Sequence, residues 1–72
     1  MSKEFKVLLE CAYPINGELS QFRVIDTEGQ MEGCERYVFE MYNPNTNSWK
    51  FQCSFPQEPN QECMYKHLDN NY

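Results

Sequence analysis

The sequence lacks the segments that would place it in a membrane or direct its export. The apolar run near its start, residues 7–9, is interrupted at once by Glu10, whereas a membrane-spanning helix needs about 20 apolar residues. The same run is too short for the hydrophobic part of a secretory signal. We therefore expect a cytoplasmic protein, in which the four cysteines are kept reduced.

Motifs of catalysis and nucleotide binding are also missing. The chain has no GxGxxG or GxxxxGK loop that would hold phosphates. Its one histidine, His67, has no nucleophile and orienting group at a recognisable spacing. A chain of 72 residues rarely forms the deep cleft that a pair of catalytic carboxylates needs. The sequence therefore indicates a protein that is not an enzyme and that uses no cofactor.

Positive charge is scarce. Six Lys and Arg residues stand against eleven Asp and Glu residues, which gives a net charge of −5. Nucleic acids and anionic membranes both bind basic protein surfaces, so we expect no direct binding to nucleic acid and none to membranes. An acidic surplus keeps a small domain soluble, and it also suits docking on a basic surface of another protein.

The length predicts a single small domain, residues 1–72, in which residues 66–72 fray. A domain of this size buries only about 60% of the surface of its unfolded chain. The hydrophobic fraction of 40% and the aromatic fraction of 15% nevertheless predict a packed core, in which aromatic rings supply much of the buried area.

Alternating hydrophobicity predicts a first hairpin, with strands at residues 4–13 and 19–26. Asn16-Gly17 predicts a two-residue turn between them, because both residues tolerate the positive φ of a type I′ turn. This turn fixes a register that pairs apolar residues with each other and opposite charges with each other. The predicted pairs are Cys11 with Phe22, Leu9 with Val24, Leu8 with Ile25 and Glu10 with Arg23. Phe5, Val7, Leu9, Cys11 and Tyr13 then share one face.

Residues 37–55, YVFEMYNPNTNSWKFQCSF, predict a second hairpin with a polar loop at residues 43–47. The predicted pairs are Met41 with Trp49, Phe39 with Phe51, Tyr37 with Cys53 and Glu40 with Lys50. They leave one continuous aromatic face, which a sheet must cover. We interpret these rings mainly as core, and the alternative is a surface that binds a partner.

Asn60 is a candidate N-cap for a short helix at residues 61–68. Cys63, Met64, His67 and Leu68 lie on one side of it. The predicted fold is therefore α+β: a four-stranded antiparallel sheet of two hairpins, meander-like, with one short C-terminal helix or coil. One helix covers such a sheet incompletely, and Leu8 and Ile25 add apolar atoms on the other face. A homodimer is the simplest way to cover them.

The cysteines show no C-x-x-C pair, so the usual zinc and redox spacings are absent. Cys63 and His67 are four positions apart, and a zinc site would need two more ligands such as Cys53 and Cys34. Free thiols are favoured, because Cys11 falls on an apolar face where cysteine acts as a small hydrophobic residue. Disulfides remain an alternative. We predict no bound metal.

Residues 26–35 form an acidic connector between the hairpins. It is interpreted either as a solvated loop or as a docking site for a basic surface, with exposed tyrosines supplying contacts beside it. The candidate partner-binding residues are Asp26, Glu28, Glu32, Glu35, Tyr13, Tyr42 and Tyr65.

No motif identifies a family. The leading hypothesis is a small acidic protein-binding module, of the kind that viruses and mobile elements encode. It would inhibit or modulate a larger protein by covering a basic, nucleic-acid-handling surface. The alternatives are a self-assembling structural subunit and a small thiol or zinc protein.

Overall fold

The computed structural model describes residues 5–72, in which there are four strands and one helix. The elements are β1 (Lys6–Ile15), β2 (Glu18–Asp26), β3 (Tyr37–Asn43), β4 (Ser48–Phe55) and α1 (Gln61–Asn71). The strands form one sheet in the order β1-β2-β3-β4, and each neighbouring pair is antiparallel. The predicted fold, a meander of two hairpins followed by a short helix, is confirmed.

The first hairpin has the predicted turn. Asn16 and Gly17 both have positive φ, 52° and 82°, as a type I′ turn requires. From the turn back to Leu9 the register is the predicted one, and Leu9 pairs with Val24. A bulge then shifts the register so that Val7, rather than Leu8, faces Ile25. The predicted Leu8–Ile25 pair is wrong because the extra residue of a β-bulge moves every residue beyond it. Val7 consequently lies on the opposite face from Leu9.

The second hairpin has a different register from the predicted one. Asn43 belongs to β3 and pairs with Ser48, so the loop is residues 44–47 and Tyr42 faces Trp49. A bulge at Gln52 shifts the register again. The observed pairs beyond the loop are Met41 with Lys50, Glu40 with Phe51, Phe39 with Cys53 and Tyr37 with Phe55. All four predicted pairs of this hairpin are wrong. Because side chains alternate between faces, the shift separates Phe39 and Phe51 onto opposite sides of the sheet.

The face of the sheet that packs against α1, called here the helix face, carries the core. Phe22 and Phe39 are fully buried at its centre, with ring centroids 5.3 Å apart and planes 9° from parallel. Val24, Met64 and Leu68 complete the buried cluster. The half-buried residues around it are Leu9, Cys11, Tyr13, Ile15, Tyr37, Met41, Cys53 and Phe55. Every strand therefore contributes alternate side chains to one apolar layer beneath the helix.

The helix begins at the predicted cap, because the Asn60 side-chain oxygen accepts a hydrogen bond of 2.8 Å from the backbone N–H of Cys63. It continues to Asn71 rather than ending at residue 68. Tyr72 follows it and places its ring 6.3 Å from that of Phe22. Cys63, predicted on the packed side, is exposed. The predicted fraying of residues 66–72 stays a prediction.

The opposite face of the sheet, called here the reverse face, has no helix against it. Its residues, by register and alternation, are Val7, Glu10, Ala12, Pro14, Leu19, Gln21, Arg23, Ile25, Val38, Glu40, Tyr42, Trp49, Phe51 and Ser54. Ile25 is only 5% exposed and its neighbour Val38 is fully buried. The apolar atoms of Ile25, which suggested a homodimer, are thus covered within one chain. Homodimer formation stays a prediction.

Residues 5–72 include no helix with the length and apolar character needed to cross a bilayer.

Candidate partner-binding surface

Three large aromatic residues of β3 and β4 lie on the reverse face. The rings of Tyr42 and Trp49 meet edge to face, with centroids 5.2 Å apart, and the Tyr42 hydroxyl donates a 2.6 Å hydrogen bond to the side-chain oxygen of Asn47. Phe51 is 46% exposed. Large aromatic residues are common at the centres of protein interfaces. This group is therefore the first candidate for a binding surface.

An ion pair fixes the middle of the reverse face. The Arg23 Nε donates to Glu40 Oε1 at 2.8 Å, and the two side chains are 25% and 14% exposed. The Arg23 guanidinium carbon also lies 4.2 Å from the centre of the Trp49 ring, a separation typical of a cation–π contact. Arg23 comes from β2, Glu40 from β3 and Trp49 from β4, so these contacts join three strands across the surface.

Glu10 is the second carboxylate on this surface. It is the cross-strand neighbour of Arg23, but Arg23 is bonded to Glu40 instead. Among residues 5–72 the exposed Glu10 side chain makes no hydrogen bond or ion pair. Two carboxylates thus share the centre of the face with one guanidinium, and the local charge is negative.

A groove of about 280 Å³ lies beside Glu10. Trp49 forms one side of it, and the remaining lining comes from β1 and β2: Glu10, Cys11, Ala12, Gln21 and Phe22. The groove combines an aromatic ring, a methyl group, a carboxylate and a primary amide. These are the groups that contact the stem and the charged end of a basic side chain.

The acidic connector is fastened at both ends. Arg36 forms a two-pronged ion pair with Asp26, Nε to Oδ1 at 2.7 Å and Nη2 to Oδ2 at 2.9 Å. The buried Thr27 donates from its hydroxyl and its backbone N–H to the Arg36 carbonyl, at 2.6 and 3.0 Å. The backbone N–H of Glu28 donates to Asp26 Oδ1 at 2.9 Å. Asp26, the first acidic residue of the connector, therefore holds the connector in place through these bonds.

No protein-family model, curated protein or solved structure matches the chain. The candidate surface therefore rests on geometry and charge.

The structure separates the predicted partner-binding residues. The four acids, Asp26, Glu28, Glu32 and Glu35, stay together around the connector, and the last three are exposed. The three tyrosines do not join them in one surface. Tyr13 lies on the helix face and donates a 2.6 Å hydrogen bond to Asp69 of α1, a contact that raises the pKa of Tyr13. Tyr65 lies on α1, and only Tyr42 lies on the reverse face.

Sequence reasoning missed three residues of the reverse face, Glu10, Trp49 and Phe51, as surface contacts. Trp49 and Phe51 were assigned to the core face through the wrong register of the second hairpin. If the loop had been predicted at residues 44–47, the register would have placed Trp49 opposite Tyr42. Glu10 was correctly paired with Arg23, but the competing bond from Arg23 to Glu40 depends on the pairing of β2 with β3, for which no register was predicted.

The cysteines form no metal cluster. All four are free thiols, and residues 5–72 bring together no three side chains suited to a metal. The sulfur nearest His67 belongs to Cys53 rather than to Cys63, with Sγ 3.4 Å from Nε2. Burial raises the pKa of the Cys53 thiol. Because the thiolate is the reactive form of cysteine, this environment disfavours a nucleophilic role.

The Asp26–Arg36 ion pair predicts a specific response to acid. The hydrogen bonds from Arg36 lower the pKa of Asp26 from 3.8 to about 2. A carboxyl whose pKa is lowered by folding stabilises the folded state above its unfolded pKa. That contribution is lost as the pH falls from about 4 through about 2. NMR titration of the Asp26 carboxyl should give a midpoint near pH 2, and Arg36→Gln should move it towards 3.8. An unchanged midpoint in Arg36→Gln would contradict the assigned cause.

Proposed function

We propose that the protein is a non-enzymatic protein-binding module that covers a basic, nucleic-acid-handling surface of a larger protein and thereby inhibits or modulates it. The observation that carries the proposal is the composition of the reverse face. There Tyr42, Trp49 and Phe51 stand beside two carboxylates, Glu10 and Glu40, and one guanidinium that is already in an ion pair. This combination suits a partner that presents positive charge.

The distribution of basic residues supports a protein partner rather than nucleic acid. Both arginines of the sequence, Arg23 and Arg36, are held in ion pairs with carboxylates. Arginine is the side chain best suited to grip a phosphate with two hydrogen bonds. The other bases of the described residues are three exposed lysines, Lys6, Lys50 and Lys66, and the connector adds further negative charge.

The proposed mechanism is occlusion. The negative charge of the domain draws it towards a positive surface, which speeds the encounter and makes it sensitive to salt. The aromatic side chains then supply the desolvated contacts that hold the complex. The partner's surface, once covered, no longer reaches its nucleic acid. We place this activity in the cytoplasm and assign it to the class of small modulators encoded by viruses and mobile elements.

Capture experiments at low and high salt test the proposal. The wild type should retain partners at low salt and release them at high salt. The variant Phe51→Ala should lose them, because it removes an exposed contact of the reverse face. The comparison variant is Tyr65→Ala. Tyr65 is a predicted contact from the sequence, but its 36% exposed side chain lies on α1 rather than on the reverse face, so under this proposal its removal should leave capture unchanged. The captured protein should lose its binding to nucleic acid in a gel-shift assay when the wild type is added.

Three results would count against this function. Capture that survives Phe51→Ala would exclude the reverse face as the contact surface. Capture that does not respond to salt, or a captured protein that still binds nucleic acid freely, would exclude electrostatic occlusion.

A further inference from the structure

The groove beside Glu10 is smaller than most sites for whole small molecules. Its volume of about 280 Å³ lies just below the range of about 300–1,000 Å³ typical of pockets for whole small molecules. The groove is also open, and its lining belongs to the β1–β2 hairpin and to Trp49. It is therefore suited to a protruding part of a larger partner rather than to a free metabolite.

The charge within the groove selects the chemistry of that side chain. Glu10 is its one ionisable carboxylate, and it is exposed and without a partner among residues 5–72. The neighbouring guanidinium of Arg23 donates through Nε to Glu40 and lies over the Trp49 ring, and no ion pair joins it to Glu10. The unmatched charge in the groove is consequently negative, and it favours a cation.

The remaining lining suits the aliphatic part of a basic side chain. Lysine and arginine bury their methylene stems on apolar surface while the charged end stays hydrated or paired. Ala12 offers a methyl group and leaves room above the strand, and Trp49 offers a large aromatic ring. The side-chain amide oxygen of Gln21 adds an acceptor for an N–H donor.

We infer that this groove binds a lysine or arginine side chain of the basic partner, with the stem along Ala12 and Trp49 and the cation on the carboxylate of Glu10. The inference rests on the proposed function, because it names the contact through which the reverse face recognises positive charge. It assigns the specificity to Glu10, which is distinct from the connector acids.

A titration with a short peptide of alternating lysine and glycine tests the groove. Trp49 is the one tryptophan in the sequence, so its fluorescence reports directly on this site. We expect a saturable change in emission, together with NMR shifts at the Ala12 methyl group and the Gln21 side-chain amide. A peptide with glutamate in place of lysine should produce neither effect.

Three variants separate the groove from general attraction to an acidic protein. Glu10→Gln should weaken peptide binding by about 1.5- to fivefold, the range expected for the loss of one exposed ion pair. Glu58→Gln removes the same charge from the exposed segment before α1 and should leave the affinity unchanged. Ala12→Leu should also reduce binding, because the larger side chain fills the groove at an exposed position.

The results distinguish this inference from the proposed function. Equal weakening of peptide binding by Glu10→Gln and Glu58→Gln would overturn the inference that the groove binds a basic side chain. So would the absence of peptide binding when capture of partners still depends on Phe51. If the peptide binds in the groove but Phe51→Ala does not change the capture of partners, the proposed function is overturned. The assignment of the groove as a site for a basic side chain would then still hold.

Discussion

Replacing Phe39 by alanine should remove about 3–5 kcal/mol from the free energy of unfolding, the usual cost of deleting a buried phenylalanine ring. The Phe39 side chain is 1% exposed, and its ring contacts Phe22, Phe55 and His67 with centroids 5.3, 6.3 and 5.5 Å away. A domain of 72 residues has a total stability of about 4–11 kcal/mol. The variant should therefore be at the edge of folding, as urea unfolding followed by circular dichroism will show.

Phe51→Ala is the matched control, since it removes the same ring from the other side of the sheet. Phe51 is 46% exposed, so its loss should cost about 1 kcal/mol or less. Similar large losses in both variants would contradict the observed register of β3 and β4, because they would place both rings in one core.

Leu68→Ala should lower the free energy of unfolding by about 2–5 kcal/mol. Leu68 and Met64 are the two fully buried residues of α1. A helix of 11 residues is marginal on its own, so this packing holds it on the sheet. The loss should appear in urea unfolding and as a decrease in helical circular dichroism.

Lys66→Ala, on the exposed side of the same helix, provides the control. Alanine has the highest helix propensity, so helical content should be retained and stability should change by less than about 0.5 kcal/mol. If Leu68→Ala were as mild as Lys66→Ala, the helix would not be docked through Leu68.

The first hairpin was predictable because one local signal set its register. Asn16-Gly17 accepts the two positive φ angles of its turn, and the pairs next to it follow by counting. The prediction failed at Leu8, where the bulge has no distinctive residue type. Period-two alternation contains no information on where an extra residue interrupts it.

The second hairpin was not predictable to the same degree, because its loop chemistry is ambiguous. Asn43 is compatible with both the end of a strand and the start of a loop, and its side chain accepts from the Asn45 backbone N–H at 3.0 Å. Assigning Asn43 to the loop shifted the register by one residue and exchanged the two faces of β4 as far as Phe51, whereas the bulge at Gln52 returns Cys53 to the predicted face. Because this register assigned Trp49 and Phe51 to the core, the candidate binding surface was not predicted.

The two bulges have a consequence for how chains meet. The extra residue of each, Leu8 in β1 and Gln52 in β4, lies in an outer strand of the sheet. Irregular borders are poor templates for hydrogen bonding to a strand from a neighbouring molecule. The bulges therefore disfavour fibre formation by strand addition at either outer strand. Contacts with other proteins are then made through side chains rather than through backbone hydrogen bonds.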